Sequence, residues 1–206
     1  MDQLAAVAAA HLLALLVPGV DFFLVARSAM TSGWRTATGA CVGIAVANGL
    51  LITAAFVGLS VFSHPGVLAV VQVAGGAFLV VVGVAFLRSR EHVDLDGAPR
   101  ATRATWTGHV GLGLGSGLLN PKNALFYVSL AAAVAPSPPM TLLGYGLWMF
   151  TVVLVWDVVV AVALGSRRAL ARMERLLPWL SRIAGIFLVL FGVGMVVEVA
   201  GRWRPV

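Results

Sequence analysis

Three ionisable side chains stand inside stretches that are otherwise apolar, and their chemistry is that of holding and moving charge. Asp21 follows Pro18-Gly19-Val20. Lys122, the only lysine beside thirteen arginines, follows Asn120-Pro121 and precedes Asn123, and Asp157 stands between Trp156 and Val158. Lysine at the centre of a bilayer helix costs roughly 2.5 to 3.5 kcal/mol on insertion scales, so a charge retained there calls for a function. Proline removes a backbone donor and glycine relaxes the chain. Each break therefore divides its segment into two half-helices whose unpaired ends turn toward protein rather than lipid. Beyond Pro121 the first amides of a new half-helix, with the Lys122 ammonium, favour an anion such as a carboxylate. Asp21 suits an ammonium. A zwitterion offers both ends. The same two residues can also pair with each other, and a pair that opens for a substrate satisfies both readings. Asp157 is the candidate proton carrier beside Asp21, its alternatives being a carboxylate held by a neighbouring helix or one near the membrane boundary. Asn48, midway along the second apolar stretch, is the corresponding polar residue of the first half, or glue between helices. The candidate binding and coupling residues are thus Pro18, Gly19, Asp21, Asn48, Asn120, Pro121, Lys122, Asn123 and Asp157.

The elements that must position these residues are membrane helices. Hydrophobic residues form 60% of the chain, charged residues 11%, and mean hydropathy is +0.99, which excludes an ordinary soluble domain. Six apolar runs of about 20 residues each match a bilayer core of roughly 30 Å: residues 4–26, 37–62, 67–87, 110–134, 140–164 and 179–200. The expected fold is an all-α integral membrane protein. Its single transmembrane domain, residues 1–206, comprises repeat one (about 4–88), a polar cytoplasmic linker (about 88–107) and repeat two (about 108–201). Pro18 and Pro121 fall at matching places in the first span of each repeat. With three spans per repeat, the second repeat enters the membrane in the opposite sense, which gives two inverted three-helix repeats with broken first helices. That architecture is characteristic of secondary transporters. The arginines fix the orientation: eleven fall in the first, third and fifth loops and only Arg202 and Arg204 on the other side. The positive-inside rule then puts those loops in the cytoplasm and both termini outside.

Small residues are spaced for close helix packing, with Gly39/Gly43 and the overlapping Gly111/Gly115 and Gly113/Gly117 each forming Gly-x-x-x-Gly, and with Gly75-Gly76, Gly83, Gly185, Gly192 and Gly194 in the third span of each half. Trp34, Trp106, Trp179 and Trp203 read as interfacial anchors. The formal charge of +6 is spread over short loops without an aromatic-basic pattern, so no nucleic-acid partner is implied. Lone Cys41 removes paired-thiol redox chemistry, and His11, His64, His92 and His109 show no ligand spacing, so no metal or other cofactor is implied. No strand precedes the 111–117 glycines and no nucleophile elbow is present, which argues against a phosphate loop and against a membrane hydrolase. The opening Met1-Asp2-Gln3 lacks the positive region of a signal peptide, so the first apolar run reads as a retained span.

Pro18-Gly19-Val20-Asp21-Phe22-Phe23-Leu24-Val25, Gly43-Ile44-Ala45, Gly75-Gly76-Ala77-Phe78-Leu79 with Gly83, and above all Leu118-Leu119-Asn120-Pro121-Lys122-Asn123-Ala124-Leu125-Phe126 resemble the lysine exporter (LysE/RhtB) family of amino-acid efflux proteins. The resemblance runs along nearly the whole chain. Family members usually carry a second proline where this chain has Val20, and commonly a tyrosine where it has Phe78. The resemblance implies a transporter, not an enzyme: export of amino acids or small derivatives, by proton exchange, across the cytoplasmic (inner) membrane of a prokaryote. Its partners would be a small-molecule substrate and the lipid bilayer, with assembly as a homo-oligomer left open. The competing class is a channel or cation/metal efflux protein on the same scaffold, which would also need intramembrane carboxylates and would show flux independent of a proton gradient or responsive to metal. A non-transporting assembly factor would tolerate replacement of the central charges.

Overall fold

A computed structural model describes residues 2–61, 65–88, 105–134, 137–164 and 167–202. Its regular elements are α-helices: α1 (Asp2–Leu16), α2 (Val20–Ser32), α3 (Trp34–Val61), α4 (Pro65–Arg88), α5 (Trp106–Leu119), α6 (Pro121–Val134), α7 (Pro139–Ala163) and α8 (Arg167–Arg202). The all-α class read from hydropathy therefore holds among the described residues. Of these helices, α3, α4, α7 and the Pro178–Gly201 portion of α8 are each long and apolar enough to cross a membrane, and α1 with α2 makes a fifth candidate bent by 50°.

The fourth expected span is broken at Pro121, as the sequence implies. Residues 110–134 do not form one rod. They fall in α5 and α6, of 14 residues each, separated by Asn120 in an extended conformation (φ −81°, ψ 103°). Fourteen residues rise only about 21 Å, less than the hydrocarbon core, so neither crosses alone. The cause is local: Pro121 cannot donate to the carbonyl four residues earlier and disfavours helical geometry at the residue before it. The first break has the same origin, with Val17, Pro18 and Gly19 outside the helices.

A departure from expectation lies near the C-terminus. The fifth loop was expected to reach Trp179, yet α8 starts at Arg167 and continues through Pro178. Hydropathy marks only the apolar part of a helix, and Arg-Ala-Leu-Ala-Arg-Met-Glu-Arg-Leu-Leu is rich in strong helix formers. Most of the expected linker (residues 89–104), His64, His92 and Trp203 lie outside the described residues.

Glycine decides how the long helices meet. On α3, Gly39 and Gly43 lie directly against the Trp106 and Val110 carbonyls of α5, while Gly113 and Gly117 of α5 lie against the Ala40 carbonyl and the Ala47 methyl of α3. Position numbers rise together on the two helices, so they run parallel. A side chain at any of these four glycines would meet backbone or a methyl group. A Cβ at Gly111 or Gly115 would meet nothing within 4 Å, so among the described residues only one of the two overlapping α5 motifs is used in packing. α4 and α8 meet antiparallel, because a Cβ at Gly83 would lie 2.7 Å from the Gly185 carbonyl oxygen and one at Gly185 would lie 2.7 Å from the Gly83 carbonyl oxygen, with Gly76 and Gly192 opposed in the same way. α7 packs against α3, with Gly49 under Phe150 and Gly146 beside Ile52. These contacts bring both helix breaks and the middle of α3 and α7 around one interior space.

Candidate functional site

The first break sets up a helix start with bare donors. Gly19 is the N-cap of α2 in an extended conformation, and no side chain caps it. Asp21 lies in the first turn, where a carboxylate is favoured by the helix dipole. Its oxygens are held from across the molecule: Ser116 Oγ donates to Oδ1 at 2.6 Å, Asn123 Nδ2 donates to Oδ2 at 2.8 Å, and Asn120 Nδ2 reaches the same oxygen at 3.5 Å. An ionised carboxylate can accept about four hydrogen bonds, so these donors leave it acceptor capacity toward the interior.

The second break carries its own cap. Asn120 Oδ1 accepts from the Lys122 amide at 3.1 Å, and the Asn120 carbonyl accepts from the Asn123 and Ala124 amides. One asparagine thus ends α5, starts α6 and reaches Asp21. The Lys122 ammonium lies over the Phe86 ring of α4, 4.8 Å from its centroid, a cation–π contact. It also lies against the first break, since a Cβ at Gly19 would be 3.6 Å from Nζ.

Between the breaks is a cavity of about 60 Å³ lined by His11, Gly19, Asp21, Asn48, Asn120, Lys122, Asn123, Tyr127, Trp156 and Asp157, among others. A cavity needs roughly 10 to 15 Å³ to admit one water, so this one admits a few, less than a whole amino acid. Seven of the nine sequence-derived candidates therefore converge on one space. Pro18 is buried at the break without lining the cavity, and Pro121 begins α6. Asp157 is 4% exposed and its Oδ2 has no hydrogen-bond partner among the described residues. Asn48 donates to the Ile44 carbonyl of its own helix at 2.9 Å, so its amide group does not tie α3 to a neighbour through this bond.

Four lining or anchoring residues escaped the sequence reading. Ser116 sits four and seven residues before Asn120 and Asn123, a spacing that makes a polar stripe on one helical face and could have been found. His11 stands within α1, seven residues before Pro18 of the break. Tyr127 and Trp156 look like any aromatic in an apolar helix and give no such signal.

A polar cavity within a bundle of apolar helices, placed where two broken helices present opposite charges, is an arrangement found in membrane transporters. Comparison with known proteins gives the family. The LysE type translocator family matches residues 12–199. The threonine efflux protein of Escherichia coli strain K12 is 26% identical over 199 residues, covering 93% of this chain and 96% of the relative. The threonine efflux protein of Salmonella typhi is 24% identical over 206 residues with the same coverage, and the uncharacterized membrane protein YahN of Escherichia coli K12 is 23% identical over 188 residues, covering 88% and 83%. No solved structure matches the chain. This chain belongs to the LysE type translocator family. It is a multi-pass membrane transport protein, not an enzyme.

Proposed function

We propose that the chain exports amino acids or small derivatives from the cytoplasm across the inner membrane of a prokaryote, by proton exchange through the cavity between the two breaks. In this reading Lys122 and the first amides of α6 receive the substrate carboxylate, and Asp21 receives its ammonium or the coupling proton. Asp157 carries a proton. The observation that carries the reading is the meeting of an ammonium, a hydrogen-bonded carboxylate and a second buried carboxyl in one cavity at paired helix breaks. The relatives' names add that a small hydroxyl-bearing amino acid is the first substrate to test. Because the cavity is smaller than any such substrate, the cycle includes an open form.

The inverted repeat belongs to the same proposal, with α1/α2 and α5/α6 each serving as one broken span and six spans in all. Its support is the proline break in both, together with the antiparallel, reciprocal glycine contact of α4 with α8. Opening would then be a rocking of one repeat against the other. Cysteine labelling in intact cells should find the 88–107 linker shielded from an impermeant reagent and both termini reactive. Reaction at the linker would invert the assumed orientation.

The deciding experiment is uptake of a panel of labelled amino acids into inverted vesicles, with and without an imposed proton gradient. Gradient-dependent accumulation is expected. Flux indifferent to the gradient, or driven only by a metal cation, would overturn the reading in favour of a channel or cation pathway.

A further inference from the structure

α2 and α5 lie side by side in opposite senses, and both of their ends are pinned. At the cavity, Ser116 donates to Asp21 at 2.6 Å, and Asp21 shares the lining with Ile44 of α3. At the other end only Gly33 separates α2 from α3, and Trp106 of α5 donates its indole N–H to Thr38 Oγ1 of α3 at 3.0 Å. Each step along α2 is therefore matched by an equal step back along α5, at about 1.5 Å per residue. This register sets Asp21 opposite Ser116, Val25 opposite Leu112, Ser28 opposite His109 and Ser32 opposite Thr105. Steps of three and four residues keep the four on each helix on one face. Val25 is buried, and Leu112 packs against the same apolar cluster. Ser28 and His109 are 0% exposed, whereas Thr105 is exposed. Ser28 Oγ, Ser32 Oγ and His109 Nε2 have no hydrogen-bond partner among the described residues. The Thr105 carbonyl, which can only accept, takes a bond from His109 Nδ1 at 3.1 Å and so leaves Nε2 of the neutral ring an open acceptor.

Unpartnered polar atoms at such depth are unfavourable, and here three of them follow one seam from the cavity to an exposed end. Water would satisfy all three if the helices parted. α2 is free to do so at both joints: Gly19 starts it without a side-chain cap, and Gly33 ends it at φ 82°, a conformation that favours glycine. We infer that the seam between α2 and α5 is the cytoplasmic entrance to the cavity, shut in this form by the apolar layer of Val25 and Leu112. Ser28, His109 and Ser32 are the lining that water and substrate meet when α2 swings away from α5. The inference rests on the export reading for its direction and adds the route to the same site. Because α2 belongs to the first repeat and α5 to the second, the entrance opens with the rocking of one repeat against the other.

The test is access to cysteine in the full chain, with Cys41→Ala removing the native thiol. Ser28→Cys should react with a small, charged, membrane-impermeant thiol reagent applied to inverted vesicles, whose cytoplasmic face is outward, and should stay unlabelled in intact cells. In the double variant Ser28→Cys, His109→Cys, an oxidant-formed disulfide should abolish uptake of labelled amino acid, and reductant should restore it. The pair Ser32→Cys, Thr105→Cys, nearer the mouth, shares the register and decides the matter if the first pair fails to insert. Labelling from neither face, labelling from the outside only, failure of both pairs to cross-link, or full uptake by a cross-linked pair would each overturn the entrance while leaving amino-acid export standing. Wild-type vesicles that take up no amino acid would instead refute the export reading, whereas labelling and cross-linking, which read access and register rather than substrate, would still decide the entrance.

Discussion

The two helix breaks solve the same problem differently. At the first, three residues lie outside the helices, the axis turns by 50°, and the new helix begins on a glycine without a side-chain cap. At the second, one residue suffices, and Asn120 closes the next helix with its own side chain and carbonyl. The first break is therefore open and the second self-sealed. Their charges are cross-wired: Asp21 of the first is held by Ser116, Asn120 and Asn123 of the second, while Lys122 of the second lies against Gly19 of the first. Bending at the first break would cost no side-chain cap, whereas bending at the second would break the Asn120 bond to the Lys122 amide. Each charge thus has partners from the other half of the chain.

The strongest way to break this contrast is to remove the charge from the self-sealed side. Lys122→Met is expected to cut uptake into inverted vesicles on the order of a hundredfold while the protein still inserts, since a charge-assisted contact to the substrate carboxylate is lost. Arginine should rescue poorly, because its planar fork is wider than the ammonium that lies between Phe86 and Gly19. Normal transport by Lys122→Met would end the carboxylate assignment.

On the open side, Asp21→Asn keeps size but gives up the charge and presents an amide donor to a ring of donors. We expect gradient-driven export to be lost. Substrate exchange at equal pH separates the roles: exchange that survives points to proton coupling, and exchange that fails with export points to ammonium recognition. Unchanged gradient-driven export would return Asp21 to a structural partner of the second break.

Two smaller effects sharpen the comparison. Asn120→Ala removes the cap on the Lys122 amide and one ligand of Asp21, so thermal unfolding in detergent should show a loss of about 1 kcal/mol, accompanied by weaker transport. Full stability would mean that Pro121 alone shapes the break. Gly19→Ala should be the mildest, within about twofold of wild-type transport: its φ of −134° suits any residue, and the added methyl meets Lys122 Nζ at an ordinary 3.6 Å. A large loss there would show that the open break needs glycine's freedom to move rather than its present shape.

The same contrast marks what could be read in advance. Composition alone named a membrane protein, because 60% hydrophobic residues in runs of about 20 leave no other solvent for the chain. Asp21, Lys122 and Asp157 were legible because ionisable groups are too unfavourable in lipid to persist without a task, and the breaks because proline acts through local covalent geometry. The helical start of α8 was missed because hydropathy registers the bilayer and not the helix. What only the tertiary structure decided is who meets whom. Parallel packing of α3 on α5 through Gly43 and Gly113 sets the height of Ser116, and α7 lying across α3 carries Asp157 to the cavity. His11 was recognised beside the cavity only when its ring proved buried there, a property that no residue type announces and that arises when two other helices close around it. Local signals are written in neighbours along the chain, whereas partnership at a site depends on side chains a hundred residues apart, whose approach is fixed by the packing of whole helices.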